Sequence, residues 1–273
     1  MELLSFPGLI AGFFYCLTLI DSERNIMNLE GKVAVITGSA VRIGRAIALT
    51  LADAGADICI HYNSSDHAAR DTCHEIEQRG RLAMQVSADL SNPVSAAETV
   101  FSEVMTELGR ADVLINSASV FENKQLKEAT EADWDSQLDI NLKAPFFLSQ
   151  KFAEHLPSDR SGHIINIVDW RANRAGIGHL PYRISKAGLV TLTECLALEL
   201  APGIQVNAIA PGAILPPPGE DRSFLEQRSG GIPLKRVGNP EEICRTVLYL
   251  LNSEFVTGEV ISVAGGEQLT GGA

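Results

Sequence analysis

Residues 33–48 read VAVITGSAVRIGRAIA. A short apolar and β-branched run, VAVIT, leads into a turn carrying Gly38 and Gly44, and that turn opens an apolar helical stretch. Such a run, bounded by glycine and followed by helical periodicity, predicts a buried strand feeding a helix. Glycines at the junction permit a tight turn and let the backbone approach an anion held at the helix N-terminus. Two glycines alone are a weak signal; their place after the first strand gives them weight.

The same alternation continues along the chain. Apolar runs at 33–37, 57–62, 81–90, 112–118, 162–168, 204–211 and 259–266 read as strands. Helical spacing fills 45–55, 67–80, 95–109, 133–156, 182–201 and 240–252. Strands alternating with helices predict the α/β class: one doubly wound Rossmann-type domain, with a parallel sheet covered by helices on both faces. In that architecture ligands bind beyond the carboxyl ends of the strands, so the loops after strands one, four, five and six form the candidate site.

The bulk numbers agree with one domain. The chain has 273 residues, 45% hydrophobic and 21% charged, enough to build a full core. A net charge of −12 argues against nucleic acid as a partner but leaves room for a small anionic ligand. The five cysteines, Cys16, Cys59, Cys73, Cys195 and Cys244, form no C-x-x-C pair. They predict neither a disulfide framework nor a metal site, but buried reduced thiols in a cytoplasmic protein. Residues 1–26 differ from the rest, because 3–20 carry no charge over a length near that of a membrane span. That extension reads as a mis-called start ahead of Met27, a membrane anchor or a cleaved signal; membrane association would run only through 3–20.

A second stretch, 166–187, reads NIVDWRANRAGIGHLPYRISKA. Tyr182 and Lys186 stand four apart and share a helix face. A phenol titrating near about 10 is a poor acid–base group at neutral pH, and a neighbouring ammonium is expected to draw it downward. Asp169 lies thirteen residues ahead of the tyrosine, directly after an apolar strand. The first-strand glycines also pose a cofactor question. An NAD site usually holds an acid about 20 residues past the glycines. Here His61, Tyr62, Asn63 and Ser64 occupy that place, and the nearest acid, Asp66, is expected to cap the next helix. With Arg42 close by, these donors suit a 2′-phosphate and predict NADPH.

These residues resemble the short-chain dehydrogenase/reductase superfamily. Thr37-Gly38 with Gly44 matches its T-G-x-x-x-G-x-G opening, and Arg42 in place of the middle glycine resembles the pteridine reductase branch. The likeness covers about 30–270. It implies that Gly38, Arg42, Ile43 and Gly44 hold the cofactor phosphates. It implies adenine contacts for Asp89 and Leu90, and cofactor contacts for Asn116, Ser117, Ala118, Lys186, Pro211 and Gly212. Asn141 takes the place of a structural and proton-relay asparagine. The superfamily's usual residue at 169 is a serine that holds a carbonyl oxygen. An aspartate there would repel an alkoxide but suit a ring nitrogen, so the resemblance implies that Asp169, Tyr182 and Lys186 serve a pterin. Phe121, in NSASVF, is expected to stack that ring, with Ser119 and Arg42 beside it. Trp170 is read as either a pocket or a core residue, and the Pro- and Gly-rich loop 212–236 as a lid.

The expected function is NADPH-dependent reduction of a pterin- or folate-type heterocycle, without a metal, by a chain that family analogy makes a homo-tetramer. The alternatives are a carbonyl reductase acting on a 3-oxoacyl, sugar or steroid ketone, and a non-catalytic NADPH-binding regulator.

Overall fold

The computed structural model describes residues 29–217, 219–227 and 229–270; the extension 1–26 and Cys16 lie outside them. Seven parallel strands, β1 (Val33–Ile36), β2 (Asp57–Tyr62), β3 (Ala83–Ser87), β4 (Val113–Asn116), β5 (Gly162–Ile167), β6 (Ile204–Pro211) and β7 (Val260–Val263), form one sheet in the order β3-β2-β1-β4-β5-β6-β7. β1 pairs with β2 on one side and with β4 on the other, Val35 facing Cys59 and Leu114. The expected α/β architecture is therefore observed.

Helices cover both faces. On one lie α1 (Arg42–Asp53) and α2 (Asp66–Glu77). On the other lie α3 (Pro93–Glu107), α4 (Glu131–Leu138), α5 (Ala144–His155) and α6 (Leu180–Glu199). Toward the end of the chain come the short α7 (Arg222–Glu226), then α8 (Pro240–Leu251), packed beside α1, and α9 (Glu267–Thr270). The pleat of β1 divides the core: Ala34 and Ile36 join Ile47, Leu51 and Val247, whereas Val33 and Val35 join Val100, Phe101 and Phe152. Burial on both faces explains why the strands read as unbroken apolar runs.

The structure corrects several expectations. The helix expected over 133–156 is interrupted by a π-helical turn, Asp139–Lys143, in which the Ala144 N–H donates to the Asp139 carbonyl. Pro145 lacks the N–H that would have bonded the carbonyl of Asn141, so the helical ladder slips there. The third strand ends at Ser87 rather than 90, and the last at Val263, where Gly265 and Gly266 turn with positive φ. Asp66 is not the helix cap; Ser65 holds that place, and Asp66 accepts the Tyr62 hydroxyl at 3.0 Å and pairs with Arg70. Cys59, Cys73 and Cys244 are buried, but Cys195 is exposed. Among the described residues no helix is long and apolar enough to cross a membrane.

Two strand histidines tie the core to pH. Burial pulls His61 on β2 and His163 on β5 down to about 4. An unfolded chain protonates them near about 6.5, so stability is full above that value and falls as pH drops toward 4, by on the order of 3 kcal/mol apiece. The melting temperature is expected to decline across that window in the wild type and less steeply in His163→Gln. Equal slopes for the two proteins would refute this account.

Candidate active site

At the carboxyl edge of the sheet the chain leaves β1 and β4 toward opposite faces, and a cavity of about 520 Å³ opens there. The glycine turn forms its floor. Gly38 has φ +62°, and a Cβ on it would sit 2.9 Å from the Cα of Ala118. A Cβ on Gly44 would run into the Gly38 carbonyl and reach 2.9 Å from the Cα of Ser39. The loop is thus packed too closely for any side chain at these two points. Thr37 locks it to the neighbouring strand: its Oγ1 accepts the N–H groups of Ser117 and Ala118 at 2.9 and 3.0 Å.

His61 supports the turn from below. Its Nδ1 accepts the Gly38 N–H at 3.2 Å, which leaves Nε2 to donate to the Ala88 carbonyl at 3.0 Å. A neutral ring suits both bonds, and burial keeps it neutral. Arg42 holds the turn from above. It adopts φ +58°, a left-handed conformation that a glycine takes without strain. Its Nη2 crosses the cavity to the Pro216 carbonyl at 2.7 Å, linking the glycine turn to the 212–236 loop.

The residues present fit a nicotinamide dinucleotide. Val41, Arg42, Ile43 and Gly44 line the wall at the N-terminus of α1, where backbone N–H groups and the helix dipole favour phosphate. Asn63, Asp89 and Leu90 line the far end. Ser91, through its backbone N–H and hydroxyl, holds the Asp89 carboxyl below its usual range. No acid closes β2, and Asn63 and Arg42 share this wall.

The catalytic wall is built by β5 and α6. Tyr182 donates its hydroxyl to Asp169 Oδ2 at 3.0 Å. The Lys186 ammonium donates to the Ile167 carbonyl at 2.9 Å and lies 5.9 Å from the Tyr182 ring centre. This corrects the expected tuning of the phenol. Burial, then the Asp169 charge, hold Tyr182 well above the ordinary phenol value, so it keeps its proton. Burial brings Lys186 down to about 8, opposed by Asp169. The tyrosine is thereby an acid bonded to a carboxylate rather than a phenolate beside an ammonium.

Arg171 joins the site without having been expected there. Its backbone N–H reaches Asp169 Oδ1 at 2.7 Å, and its Nη1 lies 3.2 and 3.1 Å from the two carboxylate oxygens. Its guanidinium carbon stands 4.6 Å from the Trp170 ring centre and 6.0 Å from that of Phe121. Phe121 is 44% exposed on the cavity wall, edge-on to Tyr182 at 4.7 Å. His179, also missed, stacks behind Phe121 at 4.3 Å and is fixed by the Glu122 carbonyl and Asn123.

The cavity also gathers Ser117, Ala118, Ser119, Pro211 and Gly212, with Leu215, Phe224 and Leu225 from the 212–236 loop. Four expected contacts fall elsewhere. Tyr62 and Ser64 stand off its wall. Asn116 turns inward, its amide donating to Asn166 at 2.8 Å. Asn141 is buried and grips both backbone polar groups of Val120, at 2.9 and 3.0 Å, while its amide also meets Ser185 at 3.1 Å. It positions the loop that carries Phe121 and does not touch the cavity. Trp170 packs into the protein beside that wall, only 6% exposed.

Comparisons with known proteins agree with this geometry. A family model described as enoyl-(acyl carrier protein) reductase matches residues 38–268. The (2S)-[(R)-hydroxy(phenyl)methyl]succinyl-CoA dehydrogenase subunit BbsD of Thauera aromatica is 36% identical over 90% of this chain and 100% of its own length. The 3-oxoacyl-[acyl-carrier-protein] reductase FabG of Staphylococcus epidermidis is 35% identical, covering 86% of this chain and 98% of its own. Among solved structures, FolM alternative dihydrofolate reductase 1 from Brucella canis, complexed with NADP, superposes with a TM-score of 0.84 at 33% identity, over 89% of this chain and 96% of that one. Glycine turn, Tyr–Lys pair, sheet order and relatives converge: the chain belongs to the short-chain dehydrogenase/reductase superfamily.

Proposed function

We propose that this short-chain reductase uses NADPH to reduce a pterin- or folate-type heterocycle. The observation that carries the reading is the 3.0 Å bond from Tyr182 to Asp169, in the place where the superfamily's usual serine would stand. The phenol carries the proton that a ring nitrogen needs as hydride arrives, and it stands on the cavity wall to give it. Asp169 and Tyr182 both line the open cavity, so a proton from solvent would restore the phenol after each transfer while the carboxylate keeps the hydroxyl oriented. The exposed face of Phe121 offers a flat aromatic surface beside the tyrosine. The cofactor, when bound, supplies the hydride. The glycine turn and the N-terminus of α1 would hold its phosphates, Asn63 and Arg42 a 2′-phosphate, and Lys186 its ribose. The likeness to the Brucella canis protein supports this assignment.

One observation favours a second reading, reduction of a ketone such as a 3-oxoacyl thioester. Arg171 lies against both Asp169 oxygens and offsets the negative charge that would repel an alkoxide. The likeness to the Staphylococcus epidermidis reductase points the same way.

The full chain with NADPH is expected to consume cofactor when given dihydrobiopterin or dihydrofolate, followed by absorbance. Consumption with acetoacetyl thioester alone would overturn the pterin reading in favour of the ketone, and no consumption with any substrate would favour a cofactor-binding regulator. Asp169→Ser is expected to lower pterin turnover by about 100-fold or more while leaving NADPH affinity within about twofold. Retained turnover in that variant would make the carboxylate structural.

A further inference from the structure

The Asp169 carboxylate has no acceptor position to spare. Oδ1 takes the backbone N–H and Nη1 of Arg171, and Oδ2 takes the Tyr182 hydroxyl and the same Nη1. An ionised carboxylate offers about four lone-pair sites, so these donors fill it. A substrate N–H group meets no free oxygen on Asp169 unless Arg171 withdraws. The guanidinium is placed to stay: its side chain is 15% exposed, it lies over the buried Trp170 ring, and Phe121 stands on the cavity side. Among the described residues, only Nη1 of the guanidinium is engaged. Among the described residues, no protein acceptor is hydrogen-bonded to Nε or Nη2 of Arg171. Arg171 lines the same cavity as Phe121, Tyr182 and Lys186.

We infer that Arg171 is a substrate-recognising residue, whose unengaged guanidinium edge takes an acceptor oxygen of the substrate while Nη1 remains on Asp169. The inference rests on the reading of this cavity as the site of heterocycle reduction, and there the acceptor is the ring carbonyl oxygen. Asp169 acts through Tyr182 and does not itself read the ring. A guanidinium suits this double duty because its donors form a rigid planar fork, one edge for the carboxylate and another for the ligand. A lysine ammonium at the same place would serve one partner or the other.

The test compares two probes on the NADP+-loaded full chain, with binding followed by quenching of pterin fluorescence. Biopterin carries the ring carbonyl; a 2,4-diaminopteridine replaces it with an amino group. Arg171→Met is expected to weaken biopterin by at least about tenfold, the size of one lost charge-assisted hydrogen bond, and to leave the diamino compound unchanged or tighter. Arg171→Lys is expected to restore biopterin binding in part. NADP+ affinity of each variant, within about twofold of wild type, reports an intact fold. Equal weakening of both probes would overturn the inference, since it would mean that Arg171 merely holds Asp169 in place. Biopterin binding unchanged in Arg171→Met would overturn it as well. A wild-type protein that binds neither probe would instead bring down the heterocycle reading and this inference with it.

Discussion

The structure turns on the parting of the chain between β1 and β4. These strands are neighbours in the sheet, yet their following helices cover opposite faces, and the crevice between the departing loops is the site. The crevice is held open at fixed width by a close approach of backbone to backbone. Gly38 lies against Ala118, and the Thr37 hydroxyl fastens both loops. A wider separation would take the Thr37 partner from two half-buried N–H groups; a narrower one would drive atoms into contact. The polar groups of the site hang from this junction: His61 below it, Arg42 above it and the Phe121 loop beside it.

At the catalytic wall three charges share a small volume. Lys186 is buried on a strand carbonyl, Asp169 lies between a phenol and a guanidinium, and Arg171 rests on an indole. Two cations and one anion leave this wall net positive, against the negative balance of the whole chain. A cofactor and substrate that bring negative or electron-rich groups complete the neutralisation. The carboxylate alone would have argued for donor-rich ligands; the carboxylate with its guanidinium argues for ligands that present both donors and acceptors.

Much of this was legible in the sequence, and the reason is local. The glycine turn, the Tyr–Lys spacing and the register of Asp169 are properties of short contiguous stretches, so periodicity and spacing reach them. The parallel sheet with helices on both faces follows from the alternation of strand and helix. What escaped depends on where a side chain points. Asn116 and Asn141 sit beside the cavity in sequence, but buried partners turn both away from it. Lys186 is on the expected face, yet its ammonium prefers a carbonyl to the phenol. Arg171 could have been suspected from its place two residues after Asp169; its stacking on Trp170 could not. The break in the long helix did carry a signal, because Pro145 falls where the ladder needs an N–H. His179 carried none.

Arg42 shows how far function can sit from optimal stability. Its left-handed backbone stores on the order of 1 kcal/mol that a glycine would release. In return the side chain bridges the cofactor turn to Pro216. A search for thermostable variants that scores the fold alone would therefore favour glycine at this position and discard the bridge. Screens of this protein that select for heat resistance and screens that select for turnover should diverge at residue 42.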